Sequence, residues 1–291
     1  MRLVTFIQQG EQKIGALGSK GGEGVIYDLC KINNSIPADM LDFLSQGEIA
    51  IKRAQEAIEK AGGEDVLPVR KVRLLAPIPA PQKIICIGLN YRDHAEETNK
   101  PIPDFPTIFS KYANSIIGPG EAIIIPRVTS QVDWECELGV VIGAQCRHVV
   151  EEDALQVVAG YLAVNDVSAR DYQTRTTQWT IGKTFDTFCP IGPALVTKDE
   201  IPDPGNLDIR TVLNDEVVQH SNTNQLIFSV PYLVSYLSEV MTLMPGDIIS
   251  TGTPSGVGFA RSPQRYLQSG EVCRIKIEGI GVLENPVEKE N

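Results

Sequence analysis

Residues 131–143 read QVDWECELGVVIG, and how that stretch is read decides the fold. Its left half is acidic and residues 138–142 are apolar. Val, Ile and Trp recur, no proline intervenes and no helical period fits, so it reads as one strand. Side chains two apart in a strand share a face. Glu135 and Glu137 therefore point one way, and Trp134, Cys136 and Leu138 the other. A solvated face carries two glutamates without consequence. A buried face does not, because like charges in close contact must take up protons, find cations or hold a metal.

Working outward, GYLAVNDVSARD at 160–171 is a second apolar strand, ending in Asn165-Asp166. A third acid at a strand end, folded against Glu135 and Glu137, makes a three-carboxylate set. Its hard oxygens suit Mg²⁺, Mn²⁺ or Ca²⁺ better than zinc, for which His and Cys are expected. Asp166 also reads as a plain strand-ending turn residue. In QWTIGKTFDTFCPIGPALV (178–196), Lys183 stands among Phe185 and Phe188. Such a lysine either snorkels along the surface or is buried against acids, and the acids already counted favour burial.

KIICIGLNYRDHAEET (83–98) gives a buried strand over 83–88 and then a helix start with Asp93 as N-cap. His94 and Glu97, three apart, meet on its first turn. A His beside a carboxylate suits a general base, although such pairs also occur idly on helix surfaces. GDIISTGTPSGVGF (246–259) is a strand running into a loop with glycines at 252, 256 and 258. The loop is either a backbone seat for a small anion, helped by Thr253, or a tight turn. It matches neither a Walker A loop nor a dinucleotide fingerprint. The chain also lacks a Gly-x-Ser-x-Gly elbow, His-Glu-x-x-His and C₂H₂ spacing.

The rest is punctuated by turns. Residues 3–7, 13–17 and 24–29 read as strands, with a glycine-rich turn across 18–24. Residues 48–61 read as a helix with Ile51, Ala54, Ile58 and Ala61 on one stripe. Residues 74–83 are held extended by proline. Two short strands follow in 105–126, with Lys111 near the first. Residues 207–219 form a hairpin turning at Asn214-Asp215. Residues 229–243 form a helix with Leu233, Tyr236, Leu237 and Val240 on one face. A small N-terminal α+β domain over 1–70 and a main domain over 71–291 are expected.

Composition narrows the function. The 291 residues allow a large core. With 26 Lys+Arg against 37 Asp+Glu the formal charge is −11, which argues against nucleic acid or an anionic membrane as partner. A bound dication can still reverse the local field for an acidic substrate. The 6 cysteines form no Cys-x-x-Cys pair and read as buried thiols of a reducing compartment. No signal peptide or membrane span is apparent, so a cytoplasmic location is expected.

Five stretches in order, GLNYRDHAEE, DWECELGVVIG, NDVSARD, GKTFDTFCPIGP and TGTPSGVG, resemble the fumarylacetoacetate hydrolase superfamily across residues 73–287. Within it, the chain is most similar to the subgroup described as oxaloacetate tautomerases. The resemblance implies an α+β, mostly β fold: a mixed β-roll or barrel-like main domain, a small N-terminal domain, and a homodimer. It makes Glu135, Glu137 and Asp166 the ligands of Mg²⁺ or Mn²⁺. His94 and Glu97 become a catalytic pair assisted by Lys183, and Arg170, Gln173 and Thr253 contact a small 2-oxo acid. The implied chemistry is a metal-stabilised enolate, used for keto–enol tautomerisation. The same machinery serves C–C hydrolysis of an acylpyruvate, or decarboxylation. A non-catalytic, metal-stabilised binding protein is the remaining alternative. Thr174, Thr176 and Thr177 lie where relatives vary, so substrate preference is least defined there.

Overall fold

The strand Cys136–Ile142, buried at all seven positions, lies inside a large mixed sheet. It pairs antiparallel with Val158–Asn165 on one side (Leu138 opposite Ala163) and with Ile248–Ser250 on the other (Val140 opposite Ile249). A computed structural model supplies these coordinates and describes residues 1–20 and 22–290. Beyond Val158–Asn165 the sheet continues through Cys189–Thr197, Arg2–Gln8, Glu11–Lys20, Glu23–Asp28 and Val66–Pro68. Beyond Ile248–Ser250 it runs through Ile84–Gly88, which is parallel to it, and ends at Thr107–Lys111. A second sheet of five strands packs Asp208–Leu213, Val272–Ile277 and Gly281–Lys289 between outer strands Glu216–Asn222 and Ile123–Ile125.

Both faces of the central strand are covered, which is why its apolar half shows no polar alternation. Cys136, Leu138, Val140 and Ile142 enter a core shared with Ile209, Leu213 and Ile275 of the second sheet. Val141 enters another core with Leu162, Val164 and Ile248, against Leu29, Met40 and Phe43 from the first 70 residues. Each such side chain contributes about 1.5–3 kcal/mol on burial. The first strand joins the sheet directly, with Arg2 opposite Val196 and Leu3 opposite Leu195.

Most expected elements form, with four corrections. The 131–143 strand is two strands: Val132–Asp133 pairs with Ser168–Ala169 in its own ribbon, and the chain bends at Trp134 and Glu135 before Cys136. The bend has a cause. Asp133 turns its carboxylate to the backbone N–H groups of Gly258 (2.7 Å) and Phe259 (3.0 Å), while the Glu135 carbonyl accepts from the Asp166 N–H. Asp93 is not an N-cap. The helix Arg92–Glu97 starts from Tyr91, and the Asp93 carboxylate accepts from Ser221 Oγ (2.5 Å) and the Ser255 N–H (3.4 Å). The helix Val230–Val240, capped by Ser229, buries Leu233 and Leu237 but leaves Val240 67% exposed. Gly18 and Gly24, expected in a turn, are paired strand residues opposite Val25 and Ser19; Gly21 lies outside the described residues. The helix expected over 48–61 spans Glu48–Lys60 and buries Ala50, Ala54 and Ala57, with Ile51 and Ile58 beside them.

All six cysteines are unpaired thiols, and Cys86, Cys136, Cys189 and Cys273 are buried. Among the described residues no helix is long and apolar enough to cross a membrane.

Candidate active site

Strand geometry delivers the acids to one point. Glu137 leaves the central strand, Glu135 the bend before it, and Asp166 the end of the neighbouring strand Val158–Asn165. One oxygen from each lies within 4.8 Å of the other two, and all three residues are buried. Bare, such a group could not persist. Lys183 Nζ donates to Glu135 Oε2 (2.7 Å) and Asp166 Oδ2 (2.8 Å). Lys111 Nζ donates to Asp166 Oδ1 at 2.6 Å. Arg170 donates through Nη1 to Glu135 Oε1 (2.6 Å) and through Nε to Asp133 Oδ2 (2.8 Å).

The electrostatics are uneven. Burial pushes the Glu135 carboxyl up, but the Lys183 and Arg170 cations pull harder and hold it below the usual carboxylate range. Glu137 has no such partner. Burial, then the charges of Asp166 and Glu135, raise its carboxyl well above that range, although Ser250 Oγ (2.5 Å) and the Gly252 N–H (3.0 Å) both donate to its Oε2. Four carboxylates (Asp133, Glu135, Glu137, Asp166) thus face three cations (Lys111, Arg170, Lys183). An all-oxygen donor set with unbalanced negative charge fits a hard divalent cation.

His94 and Glu97 meet as the spacing suggests, Nδ1 to Oε2 at 3.0 Å, with His94 buried. A carboxylate only accepts, so Nδ1 carries the hydrogen and Nε2 is the basic nitrogen. Glu97 is itself held: its Oε1 accepts from the Gly256 N–H at 2.8 Å. The 252–259 loop therefore is a row of anion-binding amides, and its anions are the protein's own Glu137, Asp93, Glu97 and Asp133. Glycine is required there. Gly256 has φ +99°, and a Cβ on it would lie 2.2 Å from the Val218 carbonyl oxygen.

A cavity of about 150 Å³ is lined by His94, Glu135, Glu137, Arg170, Gln173, Lys183 and Thr253 together. Asp166 sits behind it, joined through Lys183. Glu97 stands one step further out, reaching the cavity through His94. Gln173 Oε1 accepts from Arg170 Nη1 at 2.9 Å, and Thr253 Oγ1 accepts from Gln219 Nε2 at 2.9 Å. Arg170 Nη2 is buried with no hydrogen-bond partner among the described residues. Of the threonines at 174–177, Thr174 lines the cavity while Thr176 and Thr177 are exposed.

Two parts of the constellation were missed from sequence. Lys111 sits on the edge strand far in sequence from Asp166, the acid it binds, and pairing with Ile84 brings it in. Asp133 carried a signal, since it continues the two-residue period of Glu135 and Glu137, but its role as the clamp between Arg170 and the 258–259 backbone depends on the bend.

With this geometry in hand, comparison with known proteins is direct. A family profile described as fumarylacetoacetate (FAA) hydrolase C-terminal matches residues 83–288. A Xenopus laevis protein named oxaloacetate tautomerase, mitochondrial, is 47% identical over 99% of this chain and 90% of its own length. A Homo sapiens protein of the same description is 46% identical over 99% of this chain and 91% of its own. Among solved structures, a fumarylacetoacetate hydrolase from Exiguobacterium antarcticum superposes with TM-score 0.84 at 36% identity, covering 100% of both chains. A maleylpyruvate hydrolase from Sphingobium, solved with manganese(II) and pyruvate, gives TM-score 0.83 at 32% identity with 100% coverage of both. The order of motifs, the two-sheet architecture and full-length similarity agree: this chain belongs to the fumarylacetoacetate hydrolase family.

Proposed function

We propose that the chain catalyses keto–enol tautomerisation of a small 2-oxo acid, oxaloacetate first among them. One observation carries the reading. His94, with Nδ1 fixed by Glu97, lines the same cavity as Glu135, Glu137 and Lys183. Full-length similarity to proteins named oxaloacetate tautomerase supports the choice of substrate.

Glu135, Glu137 and Asp166 are the residues that would hold a divalent cation, Mg²⁺ or Mn²⁺ before Ca²⁺. When bound, the cation supplies Lewis acidity toward the oxygens of a 2-oxo acid. The chain supplies the rest. The Lys183 ammonium has three hydrogens, of which Glu135 and Asp166 take two, so one is left for a substrate oxygen that gains negative charge. Arg170 Nη2 offers an unused donor for the substrate carboxylate, and Gln173 steadies that guanidinium. Thr253 accepts from Gln219, which leaves its own hydroxyl hydrogen free for substrate. His94 Nε2 takes the proton from C3, and the enolate oxygen gains a proton from the imidazolium or from solvent to give the enol. The reverse transfers restore the keto form, with Glu97 stabilising the imidazolium between them.

A second reading is C–C hydrolysis of an acylpyruvate, favoured by the likeness to the maleylpyruvate hydrolase; His94 would then activate water. Decarboxylation of oxaloacetate and a metal-stabilised binding protein are further outcomes of one test. Oxaloacetate, acetylpyruvate and fumarylpyruvate are each supplied with Mg²⁺ or Mn²⁺, and enol absorbance is followed separately from pyruvate and CO₂. Enol loss without release of either supports the tautomerase. Release of pyruvate or CO₂ at a comparable rate replaces it, and inertness toward all three leaves the binding protein.

The homodimer also stands as a proposal. The sheet ends at Thr107–Lys111, where Phe105 (67%) and Tyr112 (56%) flank a part-exposed Ile108, and a second copy covering that row supports it. A division near residue 70 is proposed on the same terms, supported by a family match that begins at residue 83. The cytoplasmic location competes with the mitochondrial label of the relatives, and cell fractionation decides between them.

A further inference from the structure

The cavity has two chemically different ends. Glu135, Glu137, Arg170 and Lys183 form a buried end, Thr98, Lys100 and Trp179 line it towards solvent, and Phe109 joins the two, its ring centroid 5.0 Å from Lys183 Nζ. The aromatic pair packs edge to face with ring centroids 5.5 Å apart. Trp179 is seated by an absence: a Cβ on Gly88 would lie 2.2 Å from its Cζ3 atom, so only glycine leaves room for the indole. With that wall in place the volume is about 150 Å³, well under the ~300–1,000 Å³ of pockets for drug-sized ligands. A volume of that order favours a small acid.

The second feature is charge. Lys111, Arg170 and Lys183 are all committed to carboxylates at the buried end. Among the described residues the Lys100 ammonium makes no hydrogen bond or ion pair, although it follows a helix rich in acids. Two of those acids are engaged elsewhere, Asp93 with Ser221 and Ser255 and Glu97 with His94 and Gly256, while the exposed Glu96 makes no ion pair with Lys100 among the described residues. On a chain of net charge −11, an uncommitted cation at the mouth of a small cavity favours an anionic ligand group there.

We infer that Lys100 receives the second carboxylate of the substrate, which makes the site selective for a dicarboxylic 2-oxo acid over a monoacid of equal length. The inference deepens the reading given under Proposed function and rests on it for the orientation of the ligand. The 2-oxo acid group occupies the buried end, and the remaining carboxylate reaches the mouth. Lys100 acts by binding, not by proton transfer, so its loss acts on KM and leaves kcat.

The test compares oxaloacetate with 2-oxobutyrate, a four-carbon acid lacking the second carboxylate, on Mn²⁺-loaded full-length protein. Turnover gives KM and kcat for oxaloacetate, and calorimetry gives the affinity of both acids. In Lys100→Gln, KM for oxaloacetate rises about tenfold at unchanged kcat, 2-oxobutyrate affinity moves less than twofold, and Lys100→Arg restores selectivity. A parallel loss for both acids, or no change in either, overturns the inference. The two readings fail separately. Wild-type protein that binds oxaloacetate through Lys100 but does not tautomerise it sinks the reaction. Wild-type protein that turns oxaloacetate over with Lys100-independent selectivity sinks the role of Lys100.

Discussion

Lys183 Nζ and Asp166 Oδ2 lie 2.8 Å apart, with side chains 2% and 0% exposed. Because the same ammonium also binds Glu135, one cation is shared by two acids that neither water nor salt can screen. Lys183→Met therefore strands two buried carboxylates and costs about 3–5 kcal/mol in urea unfolding. Lys111→Met weakens Asp166 from its other oxygen. The two variants share that partner, so their effects combined in one chain depart from additivity by at least ~0.5 kcal/mol. Independent, purely additive losses would mean that Asp166 is not the common element.

His94→Ala lowers turnover by ~10²–10⁴-fold with bound metal retained, as removal of a general base does. Glu97→Gln produces a smaller drop, since it keeps a hydrogen-bond acceptor for Nδ1 but no charge to stabilise the imidazolium. Steady-state rates alongside metal content check both. A His94→Ala protein with the wild-type rate identifies another base.

The closing loop gives a backbone test. Gly256→Ala must both hold φ near +99° and push its Cβ against the Val218 carbonyl, whereas Gly270→Ala (φ +90°) meets open space. Gly270→Ala costs about 1 kcal/mol, the price of left-handed strain alone. Gly256→Ala costs more in thermal or urea unfolding and also lowers turnover, because its N–H anchors Glu97. Equal stability and activity for the two variants would show that the loop is only a turn.

On the second sheet, Asp208 accepts from His220 Nε2 (2.7 Å) and from Arg210. Partial burial raises its carboxyl, but the hydrogen bonds from His220 and Arg210 outweigh that and leave it below its ordinary value. A depressed folded-state value stabilises the protein above the unfolded value and loses that contribution as pH falls through the folded one. The group is substantially solvated, so Asp208→Asn costs at most ~1 kcal/mol near neutrality. The difference from wild type disappears in acid denaturation once the pH has fallen through the depressed folded-state value.

Much of the site was legible because its residues obey short periods. Glu135 and Glu137 are two apart next to an apolar run, and His94 and Glu97 are three apart on a helix; both pairs meet. Lys183 read as a buried cation because an apolar, aromatic context leaves a lysine few options, and its two carboxylate partners bear that out. What escaped depended on tertiary pairing. Lys111 enters the site through an edge strand, and Asp133 through a bend that a continuous strand would forbid. Asp93 looked like a cap because a cap is the local use of an aspartate, and hydrogen bonds from Ser221 and Ser255 outbid it. Val240 obeyed the helical period, but the core ends one turn before it.

The most direct measurement follows enol-oxaloacetate absorbance while a metal-free, full-length preparation is titrated with Mn²⁺ and then with EDTA, with bound metal counted at each point. The expected result is decay above the solvent rate that rises with occupancy, saturates at one dication per chain and collapses on chelation. Full decay in protein shown to hold no divalent ion would contradict the assignment of Glu135, Glu137 and Asp166 as its seat.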